Sequence, residues 1–262
     1  MPYAPINGQR IWFEDSGGEG PAVVLAHGFL MDQTMFDPQV AALAPEFRVI
    51  TWDERGFGRT EFDGMAFSYW DSARDCVGLL DHLGIERGVI GGMSQGGFLT
   101  LRAALKYPER IRGLVLIDTQ SGIDSDEVLV GYRAMIDTWT TYGPVDELAN
   151  AVAGLILSEP KESARWIAKW RLGDKAMLKE PGATLANRDD ISDLIAGVTC
   201  PAIIFHGSAD TAISIEHGEH LRDTLGGRTE FVRVEGAGHA ANLTHPDQVN
   251  GPLLAWLRSL HG

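Results

Sequence analysis

Gly88-Val89-Ile90-Gly91-Gly92-Met93-Ser94-Gln95-Gly96 opens as a strand and ends in a Gly-x-Ser-x-Gly pentapeptide. Valine and isoleucine among glycines suit a strand buried on both faces. Residues 96–106 then repeat apolar positions at helical spacing, and Pro108 follows. A serine on a sharp turn between strand and helix projects above the sheet, and flanking glycines keep side chains out of that turn. Three fixed residues in five recur by chance. The placement between a strand and a helix is what makes Ser94 a candidate nucleophile rather than an incidental serine.

Runs of the same kind recur on either side. Residues 22–26, 47–52, 113–118, 202–206 and 230–234 are short and mostly apolar, while 10–14 alternates as an opening strand would. Helical spacing in 72–83, 216–225 and 247–260 fills the intervals, with Gly84 and Gly226-Gly227 ending the first two. Strand–helix alternation predicts an α/β fold with a mostly parallel central sheet flanked by helices. Residues 124–197 break that alternation. They read as short helices punctuated by Gly143-Pro144, Glu159-Pro160 and Glu180-Pro181-Gly182. That is too long for a connecting loop. We expect a helical cap, 124–197, over a core of 1–123 and 198–262, at the sheet edge where open α/β sheets bind ligands. Trp139, Trp166 and Trp170 of this segment, with Met93 and Phe29, are expected to line an apolar substrate pocket.

A serine hydroxyl needs a base to attack a carbonyl, and the base needs an acid to orient it. His239 follows the last strand candidate in Glu235-Gly236-Ala237-Gly238-His239, where small neighbours let a loop approach Ser94. His82, His217, His220, His245 and His261 lie in polar contexts and read as surface residues. His27 and His206 each end a strand candidate before a glycine and read as loop-holding groups. For the acid, Asp210 in His206-Gly207-Ser208-Ala209-Asp210 lies just past a strand end, and Asp118 competes because it also ends one. A tetrahedral intermediate also needs backbone N–H donors. Gln95, next to the nucleophile, and Phe29, in the loop after residues 22–26, are placed to supply them.

His27-Gly28-Phe29, the stretch from Asp53 to Thr60, Gly92-Met93-Ser94-Gln95-Gly96, Gly207-Ser208-Ala209-Asp210 and Gly238-His239 occur in an order that resembles the α/β-hydrolase superfamily over nearly the whole chain. The resemblance implies the α/β-hydrolase fold with Ser94 as nucleophile, Asp210 as orienting acid and His239 as base. Within the superfamily the chain is similar to small capped carboxylesterases and lactonases, including 3-oxoadipate enol-lactonase-like and N-acyl homoserine lactone-cleaving members. Haloalkane dehalogenases and epoxide hydrolases use an aspartate where this chain has Ser94. The carbon–carbon bond hydrolases of aromatic degradation usually carry more glycine in the early loop than Gly28-Phe29-Leu30-Met31-Asp32 has. The expected activity is therefore cofactor-free hydrolysis of a carboxylic ester or lactone. Perhydrolysis of the haloperoxidase type at the same triad, and a non-catalytic ligand receptor on the same scaffold, are the rivals.

Composition removes other classes. The 262 residues include 36 acidic and 22 basic side chains, a net charge of −14. So acidic a chain gains nothing from a polyanion, so nucleic acid and anionic membrane surfaces are not expected partners. The expected partner is a small-molecule ester or lactone. Two cysteines, Cys76 and Cys200, make neither a disulfide framework nor a metal site and read as buried thiols. The segment from Asp53 to Thr60 lacks both the lysine of a phosphate loop and the third glycine of a dinucleotide fingerprint. It reads as a tight connection with Arg55 in a structural role. No basic start or apolar core marks a signal peptide at the N-terminus, and no apolar run approaches the roughly 18 residues of a spanning helix. A cytoplasmic location is the expectation.

Overall fold

The computed structural model describes residues 2–260, so His261, read above as a surface residue, lies outside the described residues. Eight strands form one sheet: β1 (Tyr3–Ile6), β2 (Gln9–Asp15), β3 (Ala22–Ala26), β4 (Arg48–Trp52), β5 (Gly88–Met93), β6 (Ile111–Ile117), β7 (Ala202–Gly207) and β8 (Thr229–Val234). Their spatial order is β1-β2-β4-β3-β5-β6-β7-β8. The first two strands pair antiparallel, and every pairing from β4 through β8 is parallel.

The parallel strands from β4 through β7 are buried on both faces, which is why they read as apolar runs, whereas the edge strand β8 is mostly only partly buried. Along β3, Val23 and Leu25 face one core, while Val24 and Ala26 face the other. Helices α1 (Asp37–Leu43), α2 (Tyr69–His82) and α3 (Gln95–Lys106) follow the early strands. α2 starts in a capping box in which the Ser68 N–H donates to Asp71 Oδ2 at 2.8 Å. α2 and α3 bury Cys76, Leu80, Leu99 and Leu101 against the Val24 face.

Between β6 and β7 come α4 (Asp126–Tyr142), α5 (Asp146–Ile156), α6 (Pro160–Leu172) and α7 (Lys179–Ala186). The apolar faces of α4, α5 and α6 join the Val23 core through Trp139, Ala153, Trp166 and Trp170, and α7 adds Leu185 to the Val24 side. The chain closes with α8 (Ile215–Thr224), α9 (Ala241–Thr244) and α10 (Pro246–Ser259), the last packing Leu253 and Leu257 on the Val23 face.

Strand β1 is absent from the expectations above. It has four residues, one of them Pro5, and shows no apolar run. Cys76 is buried as expected, but Cys200 is only partly so. Arg55 forms a bidentate ion pair with Asp75, whose second bond is 2.8 Å, in line with a structural role. Among the described residues no helix is long and apolar enough to cross a membrane.

Candidate active site

Ser94 lies between the end of β5 and the start of α3 with φ 53° and ψ −114°, a backbone conformation that side-chain-bearing residues rarely adopt. The turn is sharp because its flanks nearly touch. A Cβ on Gly92 would lie 2.3 Å from the Gly96 carbonyl carbon, and one on Gly96 would lie 2.1 Å from the Ala26 oxygen. Only glycine fits at either place. The strained serine is held from two sides: its N–H donates to the Ile117 carbonyl at 2.9 Å, and its carbonyl accepts the Thr119 hydroxyl at 2.8 Å.

The structure brings Ser94, His239 and Asp210 into line. Ser94 Oγ is 3.0 Å from His239 Nε2, and His239 Nδ1 is 2.8 Å from Asp210 Oδ2. Asp210 Oδ1 accepts the N–H groups of Ala212 at 2.8 Å and Ile213 at 3.0 Å. Both oxygens are thus oriented, and the imidazole proton belongs on Nδ1, leaving Nε2 free to accept from serine. Burial works against the charged imidazolium, but the Asp210 charge and hydrogen bond, helped by Asp118, outweigh it and hold His239 above its ordinary value of 6.5.

Asp118, the competing acid, does other work. Its two oxygens accept the N–H groups of Gly207 at 2.7 Å and Ala241 at 2.9 Å. It thereby ties the ends of β6, β7 and α9 together beneath the histidine loop. Complete burial, and then the charge of Asp210, push it up to about 8. His206 donates from Nε2 to the Ile213 carbonyl at 2.8 Å, and burial lowers its pKa. Asp118, His206 and Asp210 place possible ligand atoms within 4.8 Å of one another. The atoms facing each other are already engaged with backbone groups or His239, so the cluster is a hydrogen-bonded scaffold rather than a cation cage.

The two N–H groups are set by their surroundings. α3 begins at Gln95, so the Gln95 N–H has no carbonyl one turn back to bond. The Gln95 side chain is held by the Tyr69 hydroxyl at 3.3 Å and reaches Glu54 Oε1 at 3.2 Å. Burial keeps that Glu54 carboxyl well above the usual carboxylate range. The Phe29 N–H belongs to the Gly28–Phe29 peptide, whose carbonyl accepts from His27 Nδ1 at 2.8 Å and from the Met31 N–H at 3.0 Å. A planar trans peptide then directs the Phe29 N–H the opposite way. His27 accepts the Glu54 N–H at Nε2, 3.0 Å away, which fixes its proton on Nδ1. Full burial pushes His27 down to about 4, so it stays neutral. His27 and His206 both hold loops.

Ser94 and His239 open into a cavity of about 280 Å³ walled by aliphatic, aromatic and methionine side chains, among them Phe29, Met93, Met135 and Ile156. Met93 and Phe29 lie where they were expected. Trp139, Trp166 and Trp170 do not, and that expectation is corrected. They line a second cavity of about 450 Å³ with Asp32, Asp53, Arg59 and Lys169. The physical reason is packing: the Trp139 and Trp170 rings meet edge to face at 5.6 Å, and the Trp170 indole N–H donates to the Leu30 carbonyl at 2.6 Å. These tryptophans fasten α4 and α6 to the core. The sequence reading missed Val128, Tyr132 and Met135 as cavity residues. Their spacing along α4, with Gly131, is the 0, 3, 4, 7 stripe of one helix face, so a signal was present. Asp124, also in the lining, carries no such periodic mark.

Comparison with known proteins agrees with this fold. A model of the alpha/beta hydrolase fold matches residues 21–165. The solved structure of a thermophilic esterase from Thermogutta terrifontis superposes with a TM-score of 0.90 at 29% identity, covering 100% of this chain and 98% of that one. The enol-lactonase from Burkholderia xenovorans LB400 superposes with a TM-score of 0.88 at 28% identity, covering 98% of this chain and 100% of that one. A Synechocystis sp. protein provisionally named as a non-heme chloroperoxidase is 27% identical over 277 residues, covering 98% of this chain and 100% of its own. A family match over more than half of the sequence means that the chain belongs to the α/β-hydrolase fold family.

Proposed function

We propose that the chain is a cofactor-free serine hydrolase of carboxylic esters or lactones. One observation carries the reading: an unbroken line from Asp210 through His239 to Ser94 Oγ, with contacts of 2.8 and 3.0 Å, facing a mainly apolar cavity. Ser94 attacks the substrate carbonyl carbon as His239 takes its proton. The carbonyl oxygen becomes an oxyanion held by the Phe29 and Gln95 N–H groups. His239 returns the proton to the departing alkoxide, the carbon–oxygen bond breaks, and an acyl-Ser94 remains. Water, deprotonated by His239, attacks that ester; the acyl carbon–Oγ bond breaks, His239 gives its proton to Ser94 Oγ, and the acid is released. The helices from α4 to α7 act in this reading as the cap that roofs the cavity. The esterase and enol-lactonase neighbours support it.

The test is acid release, followed by pH-stat, from a panel of linear esters and lactones, with Ser94→Ala alongside. Turnover that vanishes with the hydroxyl supports the reading. Turnover that survives in Ser94→Ala, or none across the panel, overturns it. The Synechocystis relative's name favours a second reading, in which peroxide replaces water in the deacylation step. Peroxide-dependent bromination, absent in Ser94→Ala, would establish that activity.

A further inference from the structure

We propose that the Ser94 cavity selects uncharged esters and lactones and turns away substrates that carry a carboxylate. This rests on the hydrolase reading above and names the charge class of its substrate. Three observations carry it. First, among the described residues no lysine or arginine lines this cavity. Second, the lining holds one carboxylate outside the Ser94–His239–Asp210 line, that of Asp124, whose side chain keeps 10% exposure.

Third, the cation that pairs with Asp124 is committed elsewhere. Arg188 donates from Nη2 to Asp124 Oδ2 at 2.7 Å, from Nη1 to the Leu185 carbonyl at 3.1 Å and from Nε to the Gly122 carbonyl at 3.3 Å. Its guanidinium lies over the Phe98 ring at 4.5 Å, and its side chain is 2% exposed. The other Asp124 oxygen accepts from Gln120 Nε2 at 3.0 Å. Of the pair, the carboxylate is the member that the cavity presents. Tyr132 adds no charge, because burial and then Asp124 push its hydroxyl up to about 12.

A substrate carboxylate entering here leaves its water for apolar walls, finds no free cation and meets Asp124 at short range. An uncharged ester meets the same walls without that loss. The negative charge that develops during reaction forms beside the Phe29 and Gln95 N–H groups, where it is provided for.

The test uses the full-length protein and a matched pair of esters, dimethyl glutarate and monomethyl glutarate, at mildly alkaline pH. Each kcat/KM is divided by the ester's own hydroxide-catalysed rate, which removes intrinsic reactivity. The diester should be favoured by about tenfold or more. Equal efficiency, or preference for the monoester, overturns the inference while leaving the hydrolase reading intact. Hydrolysis of neither ester, with no activity on the wider panel, removes the hydrolase reading and this inference together. Asp124→Asn should narrow the gap by roughly threefold or more, the effect of losing one nearby charge. It also leaves Arg188 unpaired, so Asp124→Asn/Arg188→Gln, which neutralises both partners, is measured beside it. A folded variant of either kind with an unchanged gap assigns the selectivity to something other than Asp124.

Discussion

Two cavities lie beneath the inserted helices and share one residue, Leu30. One holds Ser94 and His239 among aliphatic, aromatic and methionine walls that include no tryptophan. The other is larger, rich in tryptophan and laced with charge, and Lys169 there forms an ion pair with Asp32 and donates to Thr34 Oγ1 at 2.8 Å. The larger, more aromatic cavity is the one without the nucleophile. The difference teaches that tryptophan bulk marks where the insertion is fastened, whereas the Ser94 cavity is bounded by smaller aromatic, aliphatic and methionine side chains. Leu30 stands between the two with φ 63°, a strained conformation for a leucine, and its carbonyl is held by Trp170.

The comparison is tested most severely by Ser94→Ala, which should lower kcat by about 10⁴ or more, the scale of a lost triad nucleophile. No substitution confined to the tryptophan cavity should come near that loss, and one that did would erase the distinction. Next comes pH. His239 must be neutral to accept the serine proton, and its folded value lies above 6.5. Activity is therefore present above that value and falls about tenfold per unit as pH drops below it. An acid limb centred well below 6.5 would show that the Asp210 interaction does not govern the base.

Trp170→Phe keeps an aromatic ring but removes the N–H that holds Leu30, the neighbour of Phe29, the proposed oxyanion donor. We expect kcat to fall about tenfold, less than the loss of a direct oxyanion donor, with KM changed less than about twofold. A rise in KM with kcat intact would mean instead that Trp170 touches substrate. The smallest effect should come from Lys169→Met. Its ion pair with Asp32 is partly exposed, at 34% and 17%, so it should contribute under about 1 kcal/mol, with kcat unchanged. Chemical denaturation and steady-state kinetics on the same preparation check both halves of that statement.

What could be read from the sequence follows from what is local. Continuous apolar runs mark the parallel strands because both faces are buried, and the glycines beside Ser94 mark a turn that tolerates nothing larger. Strand β1 gave no such mark, since pairing with β2 alone leaves it half open and Pro5 fits an edge. The direction in which a tryptophan points is a tertiary fact. Trp139, Trp166 and Trp170 were expected in the substrate pocket, and nothing local to them says that they line the other cavity. Asp124 is the same kind of case: its partner Arg188 lies 64 residues away, across α4 to α7, and no spacing rule connects them.

The backbone at Ser94 has a thermodynamic consequence. A residue with a side chain held at φ 53° and ψ −114° costs about 1–3 kcal/mol relative to a relaxed conformation. Glycine escapes that penalty but loses about 0.5–1 kcal/mol to the greater freedom of its unfolded chain. Ser94→Gly should therefore melt a few degrees above Ser94→Ala, since both lack the hydroxyl and only one relaxes the turn. The nucleophile's placement thus keeps the protein's heat tolerance below the ceiling its own fold allows, and an inactivated variant is the one that would reach it.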